Sequence, residues 1–390
     1  MAPEQERNER LDCPDPVKPM SRRKIVTILG TRPEVIKLAP VIGELERRNS
    51  IFDQTIVTTA QHREMLDQVL EAFGIEPHVD LGLMQPNQDL AAFASRSLLA
   101  LSNLFSDLKP DAVLVQGDTT TVVTAALAAF YQGIRVGHIE AGLRSFDRYQ
   151  PFPEEINRRL AGCLASVHFA PTERARLNLL REGVAEESIF VTGNTIVDAL
   201  ESISVGSTFD DERLAGLDHT SNRVLLVTAH RRENHGAPLR SICTALRILA
   251  SRFLDVEIVY PVHLNPSVAG LVREELGNIE RVHLIGPVSY RDMLRLMKRS
   301  YLILTDSGGI QEEAPSFRKP VLVLREVTER PELVEANAGR VVGTDTSAIV
   351  GAAALLLTDR AEYARMSAAE NPFGDGHAAE RIVDVLSGWL

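Results

Sequence analysis

In KIVTILGTRPEVIK, Lys24–Lys37, a β-branched and apolar run stops at Gly30, and Pro33 follows three residues later. Proline suits the first turn of a helix, where its missing N–H is no loss. The stretch therefore predicts a buried strand, a tight turn and a helix, the opening of a βαβ unit. Outward from it, similar runs recur at Gln54–Thr59, Ala112–Gln116, Arg135–His138, Val167–Ala170 and Ile189–Thr192. Helical patterns separate them, as a doubly wound parallel sheet requires.

A second series begins at Arg223–Thr228 and continues through Glu257–Pro261, Val282–Ile285, Tyr301–Thr305, Pro320–Leu324 and Gly339–Val342, with helical stretches such as Leu239–Phe253 and Ser347–Leu357. Six strands complete a sheet, so two α/β domains are expected within the 390 residues. The segment Asp198–Asn222 reads as a helix followed by a loop, the hinge between them. An amphipathic pattern, Ala378–Leu390, follows the breaker-rich Asn371–Gly376 and is expected to close back onto the first domain. The resulting boundaries are a disordered extension over 1–22, a first domain over 23–193 rejoined by 374–390, and a second domain over 194–373.

The balance of 42 basic against 53 acidic residues, net charge -11, argues against a nucleic-acid coat or membrane-surface patch. A bound phosphate must be held by locally placed donors. Cys13, Cys163 and Cys243 have neither paired nor metal-ligand spacing, which predicts no metal site and a reducing compartment, best matched by the cytoplasm. Residues 1–23 lack the apolar core of a signal peptide. No apolar run reaches the roughly 18 residues of a membrane span.

Charged residues gather behind the predicted strands, where an open parallel sheet presents its ligand. After the first strand, the Gly30 turn offers backbone N–H groups, and Arg32 and Lys37 add charge suited to a diphosphate. Asp118, in Gln116–Thr121, reads either as an N-cap or as a site carboxylate. Glu140 is followed by the small Ala141 and Gly142; pairing with Arg144, four residues on, is its ordinary structural use. Glu154 and Glu155 open a proline-set helix, where the dipole favours acids, and only one need be catalytic. In the second half, His230 with Arg231 and Arg232 occupies the place equivalent to Gly30. Ser307, Gly308 and Gly309 make a phosphate-accepting helix start, with Glu313 in reach of ribose hydroxyls.

Taken together these residues resemble the non-hydrolysing UDP-N-acetylglucosamine 2-epimerase family. The carriers are GTRPEVIK (Gly30–Lys37), AQHRE (Ala60–Glu64), QGDTT (Gln116–Thr120), EAGLR (Glu140–Arg144), PEEINR (Pro153–Arg158), TGNT (Thr192–Thr195), TAHRREN (Thr228–Asn234) and DSGGIQEEAP (Asp306–Pro315). The resemblance runs from about Lys24 to Leu390. It implies a glycosyltransferase-B-like pair of Rossmann-like domains with the nucleotide sugar in the cleft between them, no redox cofactor or metal, and a homodimer. It also implies interconversion of UDP-N-acetylglucosamine and UDP-N-acetylmannosamine for surface polysaccharide synthesis.

Carried over by position, Asp118, Glu140, Glu154 and His230 match catalytic places. Arg32, Lys37, Ser307, Gly308, Gly309, Glu313 and Arg330 match substrate and UDP contacts, and Val288 and Met293 align with the uracil contacts. Gln61, Arg96, Arg231, Arg232 and His263 match a site for a second, activating substrate molecule. A hydrolysing epimerase, an epimerase of a UDP-diacetamido-uronate, a glycosyltransferase of the same architecture and a non-enzymatic nucleotide-sugar sensor are the alternatives at this level.

Overall fold

The computed structural model describes residues 22–59, 63–85, 89–203, 206, 208–215 and 221–390. All of the expected extension but its last residue, Arg22, lies outside these residues, as do Gln61 and parts of the expected hinge. The first sheet is built from β1 (Arg23–Leu29), β2 (Phe52–Thr58), β3 (Val79–Asp80), β4 (Ala112–Gln116), β5 (Arg135–Ile139), β6 (Val167–Ala170) and β7 (Ile189–Val191). It is parallel in the order β3-β2-β1-β4-β5-β6-β7. The second contains β8 (Arg223–Thr228), β9 (Val256–Pro261), β10 (Val282–Ile285), β11 (Leu302–Thr305), β12 (Val321–Val323) and β13 (Gly339–Val341). It too is parallel, in the order β10-β9-β8-β11-β12-β13.

Every expected strand forms, with ends within two residues of the expected ones. β3 was not expected, because two residues carry no readable alternation. β4 is buried along its whole length, which explains its unbroken apolar run: helices cover both faces of a parallel sheet. In each sheet the strand order reverses between neighbouring strands, at β1/β4 and at β8/β11. Connections there depart to opposite faces and leave a crevice beyond the strand ends. Gly30 lies in the first crevice, where a Cβ would stand 2.4 Å from Thr121 Oγ1, so only glycine lets helix Thr120–Tyr131 approach.

The lobes share apolar packing. One buried cluster runs from Leu29 and Val35 through Ile196 and Leu200 to Leu226 and Leu294. Helix Ala378–Trp389 packs on helix Arg32–Arg47 of the first lobe and on helix Thr195–Ser202. Asp198 Oδ1 accepts from Ala379 N at 2.8 Å, and Trp389 O accepts from Arg135 at 2.6 Å. Among the described residues no helix is long and apolar enough to cross a membrane, and no group of His, Cys, Asp and Glu is arranged to hold a metal ion.

Candidate active site

Glu140 follows β5 directly and adopts φ +65°, a left-handed conformation that side chains other than glycine seldom take. Backbone strain of this kind costs about 1–3 kcal/mol and persists only where surrounding contacts hold it. Those contacts are explicit. Glu140 accepts from Gln116 and Lys37, and from Asn194 Nδ2 at 3.2 Å. The pairing with Arg144 does not form, because Arg144 turns away to bind Glu182 at 2.6 and 2.8 Å. Burial raises the Glu140 carboxyl above the usual range, against the pull of Lys37.

Asp118 is not the helix cap; Thr119 takes that place, accepting from Val122 N. The Asp118 side chain is left to accept from Arg158 Nε at 2.8 Å, and its carbonyl accepts from Asn157 at 2.9 Å. Glu155 is fully buried and accepts from the Ser145 N–H and hydroxyl, a structural task. Glu154 opens the same helix, Glu154–Leu164, and its carboxyl is raised by burial first and by the nearby Asp118 charge second.

The Gly30 turn departs from expectation. Its N–H groups are not open to an anion, since Glu34 Oε2 accepts from Gly30 N at 2.5 Å and from Thr31 N at 3.2 Å, while Thr119 donates to Oε1 at 2.6 Å. A glutamate in the third helical position reaches back to unsatisfied N–H groups in this way. Positive charge at the turn therefore comes from side chains. Arg32 lies over the Tyr290 ring at 5.4 Å, reaching the second lobe.

Across the cleft, buried Asp306 organises the ends of β8 and β11. It accepts from His230 N, Arg231 N and Asn234 Nδ2 at 2.8, 2.8 and 2.9 Å. His230 Nδ1 lies 3.6 Å from Asp306 Oδ1, and its ring stacks on His263 at 5.2 Å. Burial lowers the imidazole pKa despite Asp306, so the neutral ring is favoured. Ser307 leads the short helix Gly308–Glu313. A Cβ at Gly308 would stand 3.6 Å from Arg231 and 3.9 Å from Arg330, so two guanidinium groups face this backbone. Arg330 is itself buried, and its Nε donates to Glu312 at 2.5 Å.

Lys37 of the first lobe also forms an ion pair with Glu312 of the second, at 2.8 Å. Glu313 receives the Tyr290 hydroxyl at 3.3 Å, and burial pushes its carboxyl up to about 7. Val288 and Met293 are half-buried against the shared core near Tyr290. Arg232 is exposed in a 3-10 turn, and Arg96 points toward Leu83 O at 3.5 Å on helix Leu90–Leu108. Thus Lys37 and Glu140 meet Glu312 and Arg330, while Asp118 joins Arg158 and His230 joins His263. Glu312, Gln116, Asn194 and Tyr290 were not singled out from sequence as site residues. All but Tyr290 stand inside the quoted motifs, but only the fold turns them inward.

Comparison with known proteins identifies the family. The family model described as UDP-N-acetylglucosamine 2-epimerase matches residues 44–387. UDP-N-acetylglucosamine 2-epimerase of Bacillus subtilis strain 168 is 51% identical over 368 residues, covering 94% of this chain and 96% of the relative. That of Escherichia coli strain K12 is 50% identical over 369 residues, covering 93% and 98%. The S. aureus MnaA–UDP co-structure superposes with TM-score 0.87 at 48% identity, covering 94% of this chain and 96% of that one. The crystal structure of the Neisseria meningitidis UDP-GlcNAc 2-epimerase bound to UDP-GlcNAc gives 0.85 at 46%, covering 93% and 99%.

Proposed function

The chain belongs to the UDP-N-acetylglucosamine 2-epimerase family, and from that premise we propose that it interconverts UDP-N-acetylglucosamine and UDP-N-acetylmannosamine without hydrolysing them. The observation that carries this reading is the buried Glu140–Lys37 pair, anchored by Gln116 and Asn194 and facing Arg330 across the cleft. Burial makes the Glu140 carboxyl hold a proton more readily than an exposed one, as a group that both takes and gives a proton requires.

The C2 hydrogen of the sugar is not acidic, so simple proton exchange there has too high a barrier. Elimination provides the route. A base takes the C2 proton, the C2–H electron pair becomes the C1–C2 double bond of 2-acetamidoglucal, and the C1–O pair leaves with UDP. For return, a UDP phosphate oxygen attacks C1 and C2 takes a proton from the opposite face. Asp118, Glu140 and Glu154 supply the proton donor and acceptor. Lys37, Arg32 and Arg330 neutralise the charge that develops on the departing diphosphate, and neutral His230 donates a hydrogen bond to it.

In the same reading Ser307, Gly308 and Gly309 seat the diphosphate and Glu313 takes the ribose hydroxyls. Val288 and Met293 flank the uracil. Gln61, Arg96, Arg231, Arg232 and His263 form a second, activating subsite. The first domain spans 23–193 with 374–390 returning to it, and the second spans 194–373. Leu99, Phe130 and Tyr131, on two adjacent helices of the first lobe, are 65, 57 and 68% exposed and form the face that a second copy covers in a homodimer. The enzyme works in the cytoplasm and supplies surface polysaccharide synthesis.

An NMR time course with UDP-N-acetylglucosamine tests the proposal. A stable mixture of two nucleotide sugars supports it, and steady accumulation of free N-acetylmannosamine with UDP would replace it with a hydrolysing enzyme.

A further inference from the structure

We propose that Glu312 is a positioning residue for the proton-exchanging pair: it ties Lys37 across the cleft, so that the acid–base setting of Glu140 depends on the two lobes meeting. The inference rests on the reading of Glu140 given above and adds a residue from the opposite lobe that touches no reacting atom in that reading.

The geometry is a chain of alternating charge. Arg330 donates to Glu312 Oε1 at 2.5 Å, Glu312 Oε2 lies 2.8 Å from Lys37 Nζ, and Lys37 pairs with Glu140. Glu312 is fully buried, so neither of its ion pairs is shielded by water. Balancing Arg330 does not by itself require Glu312, because Glu329 Oε2 stands 3.7 Å from the same guanidinium. The ion pair with Lys37 is the part that crosses from lobe to lobe.

Glu312 acts on Glu140 in one direction by three routes. It competes for the lysine they share, repels the Glu140 carboxylate, and offsets Arg330. Each disfavours ionised Glu140. The charged groups facing Glu140 are Lys37 on helix Arg32–Arg47, Glu312 on helix Gly308–Glu313, Arg330 before helix Pro331–Glu335, and Arg158 on helix Glu154–Leu164. Gln116 and Asn194 complete the surround without charge. Replacing Glu312 by a neutral group leaves Lys37 wholly to Glu140 and uncovers Arg330. The Glu140 midpoint must then fall.

The test is a carboxyl NMR titration of protein labelled with carbon-13 glutamate, with the Glu140 signal assigned through Glu140→Gln, beside kcat and KM. This readout needs no turnover, so failure of the epimerase reading would show in the parent's activity and leave the titration to judge Glu312. In Glu312→Gln the Glu140 midpoint is expected to drop by at least about half a pH unit, and kcat by about tenfold or more with a smaller change in KM. Glu312→Asp, which keeps the charge but shortens the reach, is expected to hold the midpoint nearer the parent's while losing kcat. An unmoved midpoint in Glu312→Gln would overturn the proposal. Should that variant not fold, Glu312→Asp decides: parent kcat overturns the proposal, and a loss of about tenfold supports it.

Discussion

Glu34 Oε2 accepts the Gly30 N–H at 2.5 Å, so the protein's own carboxylate fills the turn that a Rossmann-like fold often offers to phosphate. The bond to Thr119 carries the same carboxylate to the neighbouring turn, which holds Asp118. Glu34→Ala would strand two backbone donors in a buried place, which costs about 1–3 kcal/mol. Denaturant melts are expected to show that loss, with Glu34→Gln losing less. Parent stability in the alanine variant would contradict this role.

Glu140→Gln keeps a group of the same shape between Gln116 and Asn194, and Lys37 retains Glu312 as its counter-charge. Turnover is therefore expected to fall about 10²–10⁴-fold, the usual contribution of a positioned acid or base. UDP affinity, measured by calorimetry, is expected to stay near the parent value. Near-normal turnover would remove Glu140 from the chemistry.

His138 and His168 are paired across β5 and β6 and buried, and burial holds them near 4 and 3 instead of 6.5. An unfolded chain takes up their protons first as pH falls. Their contribution is fully present above pH 6.5 and is lost on acidification toward pH 4 and 3. For each histidine the loss is about 1.4 kcal/mol for every pH unit that separates its folded from its unfolded midpoint. His168→Phe is expected to flatten the acid side of a stability–pH curve. An unchanged acid slope would count against the buried neutral state.

Phe130 and Tyr131 lie at the end of helix Thr120–Tyr131 and keep more than half their surface in water. If a second copy covers them, the double variant Phe130→Glu, Tyr131→Arg is expected to sediment as a monomer while the parent sediments as a dimer. A parent monomer, or a dimer indifferent to the change, would place the interface elsewhere.

Much of this was legible in the chain because parallel strands buried on both faces leave a strong signal, as in Ala112–Gln116. The site motifs were legible because they stand at strand ends. What the sequence concealed was partnership. Spacing of four left a structural pairing with Arg144 as the alternative for Glu140, but with the left-handed turn there the Glu140 side chain meets Lys37 instead. Glu312 carried no signal of its own, since adjacent glutamates in a short helix look alike until the lobes meet. Glu34 gives no sign of its task in the sequence, because a carboxylate that serves its own helix start resembles ordinary surface charge.

In the proposed reaction C2 loses and regains a proton while UDP is detached. Incubation with UDP-N-acetylglucosamine as sole substrate in heavy water tests it most directly. The expected result is one deuteron at C2 in the nucleotide-sugar pool, with both epimers present and no net release of free sugar at equilibrium. Epimers that form with the original hydrogen retained at C2, or a substrate that comes back unexchanged and unepimerised from active-site-competent protein, would contradict it.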